Sequence, residues 1–327
     1  MSGTPRDPAG GAEPGGGAEP RRDTSWDPVQ YQRFSDHRLR PALELLARIP
    51  VEAPRTVVDL GCGTGNVTRV LAQWWPGAEV SGVDHSLKML AEARTGSSPE
   101  EAEASAPVAG AVAQEPQEPE SSEPETIRWI EADIAAWTPD TPPDVIYANA
   151  SLHWLPEHRE LLPRLAGALA DGGCLAVQMP LSWSAPSHRI MREILDAGGP
   201  GESPLGTEAL RQSLARRPVA DANVYYDLLA APGRAMDIWE TEYVQVLDGE
   251  DPVMEWVKGT GLRPVLDGLT GDERKTFLAA YRRRLSETYP RRPDGTTLYP
   301  FRRLFIVVRV PLPTAARAAR DGIPHTT

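Results

Sequence analysis

Residues 58–66 read Val58, Asp59, Leu60, Gly61, Cys62, Gly63, Thr64, Gly65, Asn66, and the fold turns on this stretch. An apolar run over residues 56–60 carries an acid at its fourth position, then breaks into three glycines at alternating positions before a helical pattern starts. Glycine tolerates positive φ and lets a backbone come close to a ligand, so strand, glycine turn and helix make a nucleotide-type cradle. A dinucleotide fingerprint, G-x-G-x-x-G, needs its third glycine at position 66, where Asn66 stands. The chain has G-x-G-x-G instead, with Asp59 just ahead of it. A carboxylate there repels a pyrophosphate and suits a ligand carrying a sulfonium and an amino group, which points to S-adenosylmethionine. For the loop alone, an ordinary glycine turn between strand and helix is the competing reading.

Strands and helices alternate on either side of this loop. Helix is expected over 66–75 and 87–94, the latter opened by Ser86 as N-cap, and strand over 79–84, 127–131 and 144–148. A helix over 156–170 and a strand over 174–179 follow. This rhythm implies a parallel sheet with helices on both faces, and ligands in such sheets bind outside the carboxyl ends of the strands. Upstream, 26–49 has helical spacing broken at Pro41. Beyond Pro180 we expect helix over 187–197, an irregular Gly/Pro/Arg-rich stretch over 198–218 and strand over 236–247. Helices over 252–260 and 272–289 and a last strand over 304–310 complete the pattern. The last two strands are expected to pair antiparallel at one sheet edge, with the helices between them as a cap. The expected fold is α/β and doubly wound (Rossmann-like): a mostly parallel seven-stranded sheet with an antiparallel last strand and a helical cap over the site.

One domain is expected over 24–310, with 181–235 and 250–300 as cap and substrate segments. Residues 1–23 and 311–327 read as a disordered and a loose tail. Residues 96–125 are low-complexity Glu, Pro, Ala and Ser, too polar to offset the entropy of ordering, and read as a disordered acidic insertion. No apolar run of about 18 residues and no secretory h-region occur, so no membrane span is expected. Two cysteines, Cys62 and Cys174, fit a reducing cytoplasm and exclude a metal cluster or disulfide framework. The net charge of −12 disfavours nucleic acid. Its distribution is uneven: 97–125 holds eight glutamates and no Lys or Arg, whereas 258–309 holds twelve Lys/Arg against five Asp/Glu. The basic segment is either a site for a small anionic substrate or a solvated face.

Four strand ends carry site candidates. Asp59, Gly61, Gly63 and Gly65 follow the first strand, and Asp84 ends the second, where an acid accepts ribose hydroxyls. Asp133 and Ile134 follow the third, placed for an adenine amino group and its ring. Asn149 follows the fourth, beside the methionine portion of the ligand. His153 and Trp154 are candidates for positioning, and His153 and His158 leave a general-base reading open beside a purely architectural one. There is no G-x-S-x-G elbow, Walker loop, H-E-x-x-H or C-x-x-C, and no metal site is expected.

These segments, with 148–158 (ANASLHWLPEH), resemble class I S-adenosylmethionine-dependent methyltransferases. WDPVQYQRF (26–34), RPALELLARIP (40–50), WVKGTGLRP (256–264) and FRRLFIV (301–307) narrow the resemblance to the trans-aconitate 2-methyltransferase family, over roughly residues 25–310. The resemblance implies methyl transfer to one carboxylate of a tricarboxylate, by in-line displacement without a strong general base. Fixed cations are then needed, and arginine suits them because its planar fork takes carboxylates bidentately. Arg263 in the GLRP turn, Arg302, Arg303 and Arg284 are the expected substrate cations. Tyr225, Tyr226 and Tyr299 are expected hydroxyl donors, and Tyr31 and Arg38 either close over the methionine carboxylate or pack a helix. The expected partner is a small anion, with no nucleic acid or membrane, and the enzyme is expected to be a monomer. Another small acidic acceptor, or a non-catalytic S-adenosylmethionine-binding regulator, are the alternatives.

Overall fold

Short runs rich in Val, Ile and Leu build the sheet, because branched side chains fit a pleated surface covered on both faces. The computed structural model describes residues 39–95, 127–198, 203–258 and 261–312. The expected N-terminal tail, the acidic insertion and all but two residues of the C-terminal tail lie outside the described residues, as do Tyr31 and Arg38. The strands are β1 (Thr56–Leu60), β2 (Glu79–Asp84), β3 (Ile127–Glu131), β4 (Val145–Asn149), β5 (Cys174–Pro180), β6 (Ala235–Leu247) and β7 (Thr297–Arg309). They form one seven-stranded sheet in the order β3-β2-β1-β4-β5-β7-β6. β1 to β5 are mutually parallel, and β7 runs antiparallel to both β5 and β6. The strand order reverses between β1 and β4, which fixes the crevice for a ligand at the carboxyl ends of those two strands.

Helices α1 (Arg40–Leu46), α2 (Asn66–Trp74), α3 (Leu87–Thr95) and α4 (His158–Gly167) fall where the periodicity places them. Pro41 does not break α1 but sits in its first turn, where no intrahelical donor is missing. Farther along are α5 (Pro186–Ala197), α6 (Glu208–Ala215), α7 (Ala222–Leu229), α8 (Pro252–Lys258), α9 (Arg263–Asp267) and α10 (Gly271–Thr288). Three differences from the sequence reading have local causes. The stretch 198–218 is not wholly irregular: Thr207 caps α6 by accepting from Leu210 N at 3.1 Å. The GLRP segment is not a turn, since Arg263 and Pro264 open α9. The last strand starts at Thr297 rather than 304. Pro300 masks it, falling where β7 has β6 on one side only, an edge-like setting that tolerates a strand proline.

Register sorts side chains onto two sheet faces. Ile146 and Ala148 of β4, Leu175 and Val177 of β5 and Leu304 and Ile306 of β7 pack with Leu162 and Leu165 of α4 and Tyr225 of α7. The opposite face carries Asp59, Tyr147, Asn149, Gln178, Arg303 and Phe305 in neighbouring positions across β1, β4, β5 and β7. Helix α1 lies against this second face, with the Tyr147 hydroxyl donating to Ala42 O at 2.8 Å. The paired segments Tyr243–Leu247 of β6 and Thr297–Phe301 of β7 run past the end of β5. Tyr299 on that ribbon joins a separate apolar core made by α5, α8, α9 and α10, including Met191, Met254, Val265, Phe277 and Tyr281.

Candidate active site at the carboxyl ends of the strands

The glycine loop is held in left-handed conformations, with φ of 77° at Gly61, 56° at Gly63 and 79° at Gly65. Each glycine has its own reason. A Cβ on Gly61 would lie 2.3 Å from Ser151 Cβ, and one on Gly65 2.4 Å from the Trp129 ring, so both are closed by neighbours. A Cβ on Gly63 would meet nothing within 4 Å, so this backbone is bare on the side left open for a ligand. Trp129 also covers Gly82, whose Cβ would sit 2.6 Å from the ring, so one indole supports loop and strand together.

Asp84 accepts from Gly63 N at 3.0 Å and from Ser86 N at 2.8 Å, and its two oxygens keep lone pairs for further donors. Asp59 is buried and accepts from the Thr68 hydroxyl at 2.7 Å. Burial pushes its carboxyl up to about 7, and the nearby Asp84 charge adds to the shift. Beyond β3, Asp133 is exposed and accepts from Ala135 N at 2.9 Å, while Ile134 is buried near Gly61. The structure thus brings Asp59, Gly61, Gly63, Gly65, Asp84 and Ile134 around one crevice. An open glycine backbone beside a hydrogen-bonded acid and a buried acid whose bond partner is a hydroxyl is a set of groups suited to S-adenosylmethionine.

A second constellation lies at the carboxyl ends of β4 and β5 and beside them at the middle of β7. Four buried polar atoms there have no hydrogen-bond partner among the described residues: Asn149 Oδ1, His153 Nδ1, Gln178 Nε2 and Arg303 Nε. Among native side chains such atoms are rare, and each calls for an explanation. Arg303 donates from Nη1 to Gln178 Oε1 at 3.0 Å, and its guanidinium carbon lies 4.5 Å from the Phe301 ring centre. Burial pulls its pKa down to about 10, which leaves it charged at neutral pH. Burial, with Arg303 as the next cause, pushes His153 down to about 3, so its ring is neutral. Ala150, between these groups, is the one non-glycine residue among those described with positive φ, 54°, and its N–H is fixed by Gln178 O at 3.0 Å. Backbone held in this region is strained and clusters at functional sites.

The turn carrying His153 and Trp154 (Leu152–Trp154) is fastened from below. His158 Nε2 donates to Leu152 O at 2.8 Å, which fixes the tautomer, so Nδ1 accepts from the Tyr225 hydroxyl at 2.7 Å. Tyr225 in turn accepts from Ala220 N at 3.0 Å. Its hydroxyl is therefore engaged in this tie. Trp154 is largely exposed, with its ring centroid 4.6 Å from that of His153.

The remaining candidates are not brought to this cluster. Strand alternation sends Arg302 to the face opposite Arg303, where it is half-exposed and paired with Glu240. Arg263 opens α9 with its side chain 82% exposed, 3.9 Å from Asp267. Arg284 pairs with Glu193 across α10 and α5, and Tyr226 faces solvent. Tyr299 is fully buried in the cap, its hydroxyl 3.1 Å from Ser187 Oγ. Sequence reasoning passed over Gln178, the lone amide in the apolar strand Cys174–Pro180, and its isolation among apolar neighbours at a strand's carboxyl end is the signal that marks it. Among the described residues, no helix is long and apolar enough to cross a membrane.

A family model described as a methyltransferase domain matches residues 31–216. The trans-aconitate 2-methyltransferase of Methylobacterium nodulans is 45% identical over 284 residues, covering 87% of this chain and 98% of its own. The protein of the same name from Azoarcus sp. is 44% identical over 284 residues, covering 86% and 98%. That of Streptomyces avermitilis is 43% identical over 286 residues, covering 86% and 96%. Similarity of this extent means that the chain belongs to the trans-aconitate 2-methyltransferase family and is an S-adenosylmethionine-dependent methyltransferase.

Proposed function

We propose that the enzyme methylates one carboxylate of trans-aconitate, giving a monomethyl ester and S-adenosylhomocysteine. The observation that carries this reading is a half-buried, charged Arg303 whose buried Nε has no partner among the described residues, on β7 where it passes the end of β5. A buried guanidinium without an anion is costly to maintain, and a substrate carboxylate removes that cost. Relatives that share 41–45% identity are named for trans-aconitate, which supports the choice of acid.

The residues divide the work. Asp59, the glycines, Asp84, Asp133, Ile134 and Asn149 hold the methyl donor. S-adenosylmethionine supplies a methyl group on cationic sulfur, an electrophile that needs no activation. A carboxylic acid with a pKa of about 4 is already ionised at neutral pH, so no general base is required. His153, neutral and beside Arg303, acts by position, and Trp154 flanks it. Arg303 fixes the acceptor, and the cap excludes water. Positioning of this kind can lower a barrier by roughly 7–11 kcal/mol. Two buried, unpaired thiols, Cys62 and Cys174, support a reducing, cytoplasmic location.

Methyl-labelled S-adenosylmethionine offered with a panel of di- and tricarboxylates tests the proposal. Label should appear as a base-labile ester of trans-aconitate. Transfer only to amines or phenols, or to a different acid in preference, refutes it.

A further inference from the structure

Gln178 is wholly buried on β5, beside Asn149 of β4 and on the same sheet face as Arg303. One end of its amide is satisfied: Oε1 accepts from Arg303 Nη1. Because a guanidinium only donates, the amide cannot be turned round, so Nε2 must point away from Arg303. There it finds no acceptor among the described residues. On the guanidinium, Nη1 is taken by Gln178, which leaves the Nε–Nη2 edge, with its own pair of parallel N–H bonds, to meet a ligand. Arg303 Nε on that edge is also unpartnered.

We infer that Gln178 is a specificity-determining residue of the acceptor site: it orients the Arg303 fork and adds its own Nε2–H donors, so that the pair recognises a carboxylate. The inference rests on the carboxylate-methylation reading above. The residue type matters as much as its place. Glutamate is nearly isosteric, but its charge would pair with Arg303 and cancel the cation that this cluster carries among the described residues. Glutamine orients the guanidinium without neutralising it. An apolar side chain would leave Arg303 charged but free to swing. The result is a donor array, complementary to an anion and indifferent to a neutral ester or amide of the same shape.

Gln178→Glu and Gln178→Met, each alone and with Arg303→Met, test this through calorimetric binding of trans-aconitate to the full chain loaded with S-adenosylhomocysteine. Gln178→Glu should weaken acid binding roughly thirtyfold and Gln178→Met about tenfold, with S-adenosylhomocysteine affinity and thermal midpoint close to wild type. Since Gln178 acts largely through the guanidinium, Gln178→Met should add less than about threefold once Arg303 is Met. Unchanged acid affinity in Gln178→Glu, or fully multiplicative losses in the double variant, overturns the inference while leaving carboxylate methylation intact. Wild-type protein that binds no carboxylate overturns both. If one variant fails to fold, the other still decides, because each has its own expected loss and unchanged acid affinity in either overturns the inference.

Discussion

Asp59 shows how one buried group can report on the cofactor. Its carboxyl is pushed up from 3.8 to about 7 chiefly by loss of water, so near neutral pH the ligand-free protein holds it partly protonated. A cationic ligand at the cradle favours the ionised form and drives the proton off. Binding of S-adenosylmethionine at pH 7 should therefore release a fraction of a proton, and S-adenosylhomocysteine, with neutral sulfur, should release less. Calorimetry in buffers of different ionisation heat measures this, and equal proton counts for the two ligands contradict it. The linkage has a sign. With the folded pKa above the unfolded one, Asp59 favours folding fully below pH 3.8, and this contribution is lost as pH rises through about 7. Asp59 and its glycines were legible in the sequence because the loop needs only local geometry. Gln178 was not, because its importance lies in what β7, its neighbour in the sheet but more than a hundred residues on in the chain, puts against it.

Helix α1 is fastened to β6 largely through one carboxylate. Glu44 accepts from Trp239 Nε1 at 2.9 Å and the Thr241 hydroxyl at 2.7 Å, and from the Tyr243 hydroxyl. Arg40 stands 5.1 Å over the Tyr243 ring. Burial opposes ionisation of Glu44, yet the donors of Thr241, Tyr243 and Trp239 together hold its carboxyl below the usual range. The helix is thereby pinned across the sheet face that carries Gln178 and Arg303. Glu44→Gln should cost roughly 1–3 kcal/mol at neutral pH, since charge-assisted bonds become neutral ones. A lowered folded pKa gives stability that is present above pH 4.5 and lost as pH falls through the folded value. Denaturant unfolding should therefore show the gap between wild type and Glu44→Gln closing on acidification below pH 4.5. A gap that stays constant from neutral to strongly acid pH speaks against this account. The helix itself was readable from Leu43, Leu45 and Leu46, but no pattern in its sequence identifies the edge strand it grips. Strand β7 was cut short in the reading because Pro300, Arg302 and Arg303 look unlike a strand until β6 is laid beside them.

Across the whole molecule, the switch in strand order sets the proposed methyl-donor cradle at the end of β1 and the proposed acceptor cluster on β4, β5 and β7. The β6–β7 ribbon carries the cap past those strand ends. Alternation of strands and helices made this architecture legible. The basic segment misled because composition does not record pairing: Arg263, Arg282, Arg284 and Arg302 sit with Asp267, Asp251, Glu193 and Glu240 at the surface. Arg303 differs from Arg302 only by one step of strand alternation, which turns it to the half-buried face beside Gln178. The central claim is that this one arginine holds the acceptor carboxylate. Its most direct test is trans-aconitate binding to the S-adenosylhomocysteine-loaded protein, compared between wild type and Arg303→Met. The account predicts acid binding weakened roughly a hundredfold with the nucleoside's affinity little changed. Undiminished acid binding in Arg303→Met would contradict it.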